Sequence, residues 1–159
     1  MSFEKFAADY LARGLLKKQK IDFPEVAKLV SRAYKDIKTA RANMAIDEGV
    51  AFSVAYMAMI HAARALMLAK GYRSSDGAQH KTAIEFVDKL LGADYRDLAE
   101  EFDRMRRKRN IFTYEVGAPI SSTEADNAIT SAARLVELIR STIQKNNPQQ
   151  EFDWDTNPD

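Results

Sequence analysis

Hydrophobic residues recur at three- and four-residue steps along most of the chain, which is the spacing of one face of an α-helix. This pattern predicts six helical segments, and no segment shows the alternation of a convincing β-strand. The third segment, Val50 to Lys70, is apolar nearly all round and is therefore predicted to be a central helix contacted on several sides. The short connections predict an all-α fold, an antiparallel up-and-down bundle of five to six helices.

Capping residues mark several of the predicted helix starts. Ser2, Asp22 and Asp94 each precede a helical stripe and are predicted N-caps. Ser121 with Glu124 three residues later has the spacing of a capping box at the start of the last helix. These signals predict a single helical domain over residues 1–145, in which residues 1–22 add an N-terminal helix.

The C-terminal tail, residues 146–159, differs from the rest of the chain in charge. It is predicted to be flexible because it is rich in proline, asparagine and glutamine, and it contains no basic residue. Its acids are Glu151, Asp153, Asp155 and Asp159. Without these four, the chain has 24 basic and 19 acidic side chains, so the body carries a formal charge of about +5. A moderately basic body does not by itself indicate a nucleic-acid partner.

The composition of the chain argues against several kinds of functional site. The chain has no cysteine and two histidines, with no Glu-x-x-His pair and no glycine-rich phosphate loop, so neither a metal site nor a bound cofactor is predicted. His61 and Arg64 interrupt the one long apolar segment, which argues for a buried helix and against a membrane span. A cytoplasmic location fits the absence of cysteine and of a signal peptide at the N-terminus.

Arg109 lies where the helical pattern predicts a hydrophobic residue. Leu98, Phe102, Met105 and Phe112 form an apolar stripe, and Arg109 falls on it. A guanidinium at such a position either extends its head to solvent along an apolar stem or pairs with another group in a polar cleft. The stripe alone leaves both interpretations open.

The end of the same helix is strongly basic. Its cations are Arg104, Arg106, Arg107, Lys108 and Arg109. The four that lie off the apolar stripe form either a solvated face or a phosphate-binding surface. His61, inside the central helix, is predicted to be a hydrogen-bonded core residue, and His80 is predicted to cap a helix or anchor a loop.

One run of residues resembles a known family. The segment Ala55 to Gly71, AYMAMIHAARALMLAKG, is similar to the signature helix of the HEPN superfamily, and His80, Arg109-Asn110 and Tyr114 follow in that family's order. HEPN domains are helical modules of prokaryotic toxin–antitoxin systems and partners of minimal nucleotidyltransferases. The resemblance covers roughly residues 25 to 140.

The resemblance implies a site and a partner. The family's ribonuclease motif is an arginine, usually followed by a polar residue, with a histidine five positions after the arginine. Arg109 and Asn110 match it, but Tyr114 stands at the histidine position. A tyrosine with a pKa of about 10 is only ~0.1% phenolate at pH 7, which disfavours efficient acid–base catalysis. The family also implies a homodimer in which two motif arginines face one cleft.

Three functions therefore remain open. The first is a HEPN domain that binds RNA or nucleotide but is weak or inactive as a ribonuclease. The second is a protein-interaction module that pairs with a nucleotidyltransferase-type protein. The third is an active metal-independent endoribonuclease that uses Arg109 and Tyr114 unconventionally.

Overall fold

The computed structural model describes residues 2–75, 79–114 and 119–157, with the backbone alone for residues 112–114. Within these residues the chain forms six α-helices, two short β-strands and one 3-10 turn, Ala93–Tyr95. The helices are α1 Phe3–Ala12, α2 Phe23–Asn43, α3 Glu48–Ala69, α4 Gln79–Leu91, α5 Arg96–Tyr114 and α6 Ser122–Asn146. The strands are β1 Leu16–Lys18 and β2 Tyr72–Ser74. The predicted all-α class is confirmed.

Most helix starts follow the local signals in the sequence. The side chains of Ser2 and Asp22 accept hydrogen bonds from backbone N–H groups of α1 and α2, as predicted. Ser121 and Glu124 form the predicted capping box. The prediction that Asp94 caps the fifth helix was wrong, because Asp94 lies inside the 3-10 turn and α5 begins only at Arg96. Capping by side chains satisfies N–H groups that have no partner within the helix.

Helix α3 is the centre of the bundle. It packs most extensively against α2 and α6, and it also contacts α4 and α5. Ala55, Ala58 and Ala62 are completely buried, so neighbouring backbones approach it closely. Within the described residues, α3 is the one helix long and apolar enough to cross a membrane, and 67% of its apolar window is buried inside the fold. That burial is typical of the core helix of a soluble protein.

The expectation that the chain has no strand was wrong. Strands β1 and β2 pair antiparallel, with Leu16 opposite Ser74, Lys17 opposite Arg73 and Lys18 opposite Tyr72. Each strand has three residues, too few to show a two-residue alternation, and the pairing joins segments that are far apart in the chain. The ribbon forms because the segments that follow α1 and α3 leave the bundle side by side.

The tail contacts the helices over the part that the structure describes. The Trp154 indole N–H donates to Gln144 Oε1 of α6 at 3.0 Å, and the Trp154 ring stacks on Phe152. Phe152 in turn meets Phe23 at the start of α2. Asp159 lies outside the described residues. The flexibility of the tail and the domain boundaries at residues 22 and 145 stay predictions.

Candidate functional site

Arg109 lies at the edge of the core, where α5 crosses α3. Leu98, Phe102 and Met105, on the same stripe, are buried, and Arg109 is half-buried. Its guanidinium carbon lies 5.6 Å from the centre of the Tyr56 ring. A cation over an aromatic face is electrostatically favourable, and more so where water is partly excluded. The Arg109 guanidinium therefore contacts an aromatic ring of the central helix.

Tyr56 connects Arg109 to a histidine from another helix. Its side chain is fully buried in α3, and its hydroxyl lies 2.9 Å from Nδ1 of His80. His80 is the second residue of α4 and is half-buried. The predicted anchoring role of His80 thus takes the form of a hydrogen bond to the central helix. The sequence does not reveal this contact, because Tyr56 and His80 are far apart in the chain.

Burial and positive charge act together on this group. Burial raises the pKa of Tyr56 above its usual range, against the opposing effect of Arg109, Arg106 and Arg64, so Tyr56 is a neutral phenol. Burial also lowers the pKa of His80, and the positive charges of Arg64, Arg109 and Arg106 lower it further. Near neutral pH this site therefore holds a neutral imidazole surrounded by arginines.

The basic end of α5 has carboxylate partners. Arg104 pairs with Glu101 at 2.6 Å, and Arg106 and Arg107 both pair with Asp103, at 2.9 and 3.6 Å. Lys108 lies 3.5 Å from Glu124 of α6.

These ion pairs reduce the positive charge that the basic end of α5 presents to a ligand. Exposed ion pairs are weak, so phosphate can replace the carboxylates, but the cluster's net positive field is smaller than its sequence suggests. Phosphate binding by Arg104, Arg106, Arg107 and Lys108 stays a prediction.

The other two motif positions are only partly described. Asn110 is exposed on α5, next to Arg109. The side chains of Phe112 and Tyr114 lie outside the described residues, although the backbone of α5 continues through Tyr114. The catalytic assignment of Arg109, Asn110 and Tyr114 therefore stays a prediction.

His61 belongs to a second polar group, on the side of α3 that faces α2. Its Nδ1 lies 2.6 Å from Oδ2 of Asp36, which is 2% exposed. Arg32 donates through Nε to the other oxygen of Asp36 at 2.9 Å. The prediction of a hydrogen-bonded core histidine is confirmed. Asp36 was not predicted, although this residue also falls on an inward-facing stripe, as Arg109 does.

No metal centre emerges from the described residues. Over residues 2–75, 79–114 and 119–157, no group of three or more His, Asp or Glu side chains is arranged to hold an ion. The two histidines lie in separate groups, one beside a carboxylate and one beside a phenol.

The helical core agrees with a comparison against known families. The HEPN domain family matches residues 26–142, which run from the first turn of α2 to near the end of α6. The chain therefore belongs to the HEPN domain family, a class of nucleotide- and RNA-related helical modules. No curated protein sequence matches it significantly.

Proposed function

We propose that the chain is an RNA- or nucleotide-binding HEPN domain of a toxin–antitoxin or defence-type module, with Arg109 as the central binding residue. The observation that carries the proposal is the Arg109 guanidinium on the buried Tyr56 ring, next to a neutral histidine and two further arginines. Several cations around a partly buried position attract an anion, because a low local dielectric strengthens each charge. The phosphodiester backbone of RNA supplies such an anion.

Cleavage by this domain is proposed to be slow or absent. Metal-independent RNA cleavage needs a group that accepts the 2′-hydroxyl proton or protonates the leaving oxygen. A tyrosine at position 114 is a poor base near neutral pH, because its ordinary pKa is about 10. Tyr114 can still orient a substrate through a hydrogen bond.

The domain is proposed to act as a homodimer. Exposed large hydrophobic side chains support this, since Ile46, Val50 and Ile111 are 79%, 39% and 46% exposed. Val50 lies near the start of α3, which is joined to the start of α6 by a hydrogen bond from Ser122 to Glu48. A second copy of the chain could bury these apolar side chains on association. Light scattering should give about twice the 17.9 kDa chain mass, and a monomer at every accessible concentration would contradict this.

The same apolar surface favours the second candidate, a module that pairs with a nucleotidyltransferase-type protein. RNA binding separates the two. Fluorescence anisotropy with a labelled single-stranded RNA should show binding that weakens as salt rises. Arg109→Ala should bind at least tenfold more weakly, whereas the control Arg134→Ala, which removes an exposed arginine paired with Asp97, should change affinity less than threefold. Absence of salt-dependent binding would favour the protein-interaction module instead.

A further inference from the structure

The two-stranded ribbon brings like charges together. Lys17 of β1 lies directly opposite Arg73 of β2, and both side chains are exposed. Residues directly opposite each other in an antiparallel pair project to the same face, where like charges destabilise the pair. Over the part of the chain that the structure describes, neither residue forms an ion pair. A bound anion would remove this repulsion.

A small cleft lies beside the ribbon, at the start of α4. Its volume is about 180 Å³, and its lining combines two guanidinium groups, a hydroxyl and an amide with two leucines and a tyrosine. These are Arg64, Arg73, Ser74, Gln79, Leu29, Leu68 and Tyr72. Pockets for drug-sized ligands run from about 300 Å³ upward, so this cleft fits a phosphate with part of its sugar.

The charge of this cleft distinguishes it from two larger clefts. Carboxylates of α4 and α5, including Glu85, Asp88 and Asp103, line a cleft of about 410 Å³. Tail acids, including Glu151 and Asp153, line a cleft of about 780 Å³ beside α2. Among the described residues, no carboxylate lines the cleft beside the ribbon. Its chemistry therefore favours an anion.

Arg64 connects this cleft to Arg109. It is exposed on α3 and lines the cleft, and its positive charge also acts on Tyr56 and His80, the two residues beside Arg109. Arg64 forms no ion pair with any described residue, unlike Arg104 at the end of α5. Cations therefore lie at Tyr56 of α3, which Arg109 contacts, at Arg64 further along the same helix, and at Arg73 of the ribbon.

We infer that a single-stranded RNA follows the open side of α3 from Arg109 past Arg64 into the cleft beside the ribbon, where Arg64, Arg73 and Lys17 bind its phosphates. This inference rests on the proposed function, because it gives the path of the RNA that Arg109 binds. Guanidinium groups suit the role, since their planar donors bind phosphate in a bidentate manner. The leucines and Tyr72 give the cleft an apolar wall against which a sugar or base can lie.

The test is a salt titration of RNA binding. A labelled decauridine is bound to wild type, Arg64→Gln, Arg73→Gln, Lys17→Gln and Arg134→Gln. The last variant is the matched control, because Arg134 is an exposed arginine of α6 paired with Asp97. Each lost phosphate contact should reduce the slope of log affinity against log salt by roughly 0.7. At 0.1 M salt this change corresponds to an affinity that is about fivefold weaker. Arg134→Gln should leave the slope unchanged.

The outcomes separate this inference from the proposed function. Loss of binding in Arg109→Ala, with wild-type slopes in Arg64→Gln, Arg73→Gln and Lys17→Gln, would overturn the path and leave the proposed function standing. Equal losses in Arg73→Gln and Arg134→Gln would reduce the effect to net charge and would also overturn the path. A wild type that does not bind RNA at low salt would overturn both. Arg73→Lys, which keeps the charge, should recover most of the slope.

Discussion

The two histidines of this domain have opposite electrostatic surroundings. His61 lies 2.6 Å from the buried carboxylate of Asp36, whose other oxygen is held by Arg32. His80 contacts a neutral phenol, Tyr56, and the nearby charges that act on it are those of arginines. Both histidines bridge α3 to a neighbouring helix through Nδ1. One bridge holds a buried carboxylate between two partners, whereas the other lies at the edge of the core beside several arginines.

This difference separates a structural role from a functional one. A buried carboxylate with two donors has its hydrogen-bonding needs met. Removing the donors would leave an uncompensated charge inside the fold. Several arginines close to one histidine repel one another and lower the pKa of that histidine, which folding alone does not require. Groups with such shifted pKa values concentrate at functional sites. The cluster of Arg32, Asp36 and His61 is therefore expected to control stability, and the cluster of Tyr56, His80 and Arg109 to control ligand binding.

The largest expected effect comes from adding a third histidine, at the motif position. If Tyr114 disables an otherwise intact site, Tyr114→His should raise the rate of RNA cleavage by ~10²- to 10⁴-fold, because general acid–base help is typically worth that much. Single-turnover cleavage of one labelled RNA without added metal measures the rate. Arg109→Ala in the Tyr114→His background should abolish the gain. Rapid cleavage by the wild type would contradict the impaired site and favour the active ribonuclease.

A large effect on stability is expected at the other histidine. Asp36→Asn should lower the free energy of unfolding by about 2 kcal/mol, because it weakens the charge-assisted hydrogen bonds that join Arg32 and His61 to a buried carboxylate. Urea denaturation followed by circular dichroism measures the loss. Asp9→Asn is the control, since the Asp9–Arg13 pair is half exposed and worth less than about 1 kcal/mol. Equal losses in both variants would remove the distinction between the clusters.

A smaller effect should appear in the pH dependence of stability. The pKa of His80 in the folded protein is held below its ordinary 6.5 by burial and by Arg64, Arg109 and Arg106. The unfolded chain therefore takes up a proton first as pH falls, so the His80 contribution to stability is present above pH 6.5 and is lost below it. Wild type should lose stability more steeply than His80→Gln between pH 7 and 5. Parallel curves for the two proteins would show that His80 is not held neutral.

Local signals in the sequence predict most of the fold. Ser2, Asp22 and Ser121 mark helix starts because a capping side chain bonds a backbone N–H within three residues. Pairing between distant segments gives no such local signal. The ribbon that joins Leu16 to Ser74 was therefore missed, and so was the contact between Tyr56 and His80.

The site was only partly predictable for the same reason. Arg109 stands out because a charge interrupts an apolar stripe, and the same reasoning applied to α2 would have found Asp36. The ion pairs of Arg104 and Arg107 are local and were available from the spacing of Glu101 and Asp103. The proposed role of Arg64 could not be predicted in this way, because only the fold brings Arg64 to the cleft beside the ribbon.

The most direct test of the two roles measures stability and RNA affinity together in Asp36→Asn and Arg109→Gln. The variants are compared with wild type by urea denaturation and by RNA anisotropy at a temperature where all three remain folded. Arg109→Gln should bind RNA at least tenfold more weakly while its free energy of unfolding changes by less than about 1 kcal/mol. Asp36→Asn should lose about 2 kcal/mol of stability and keep its affinity within about threefold. Parallel losses of stability and affinity in both variants would contradict the account.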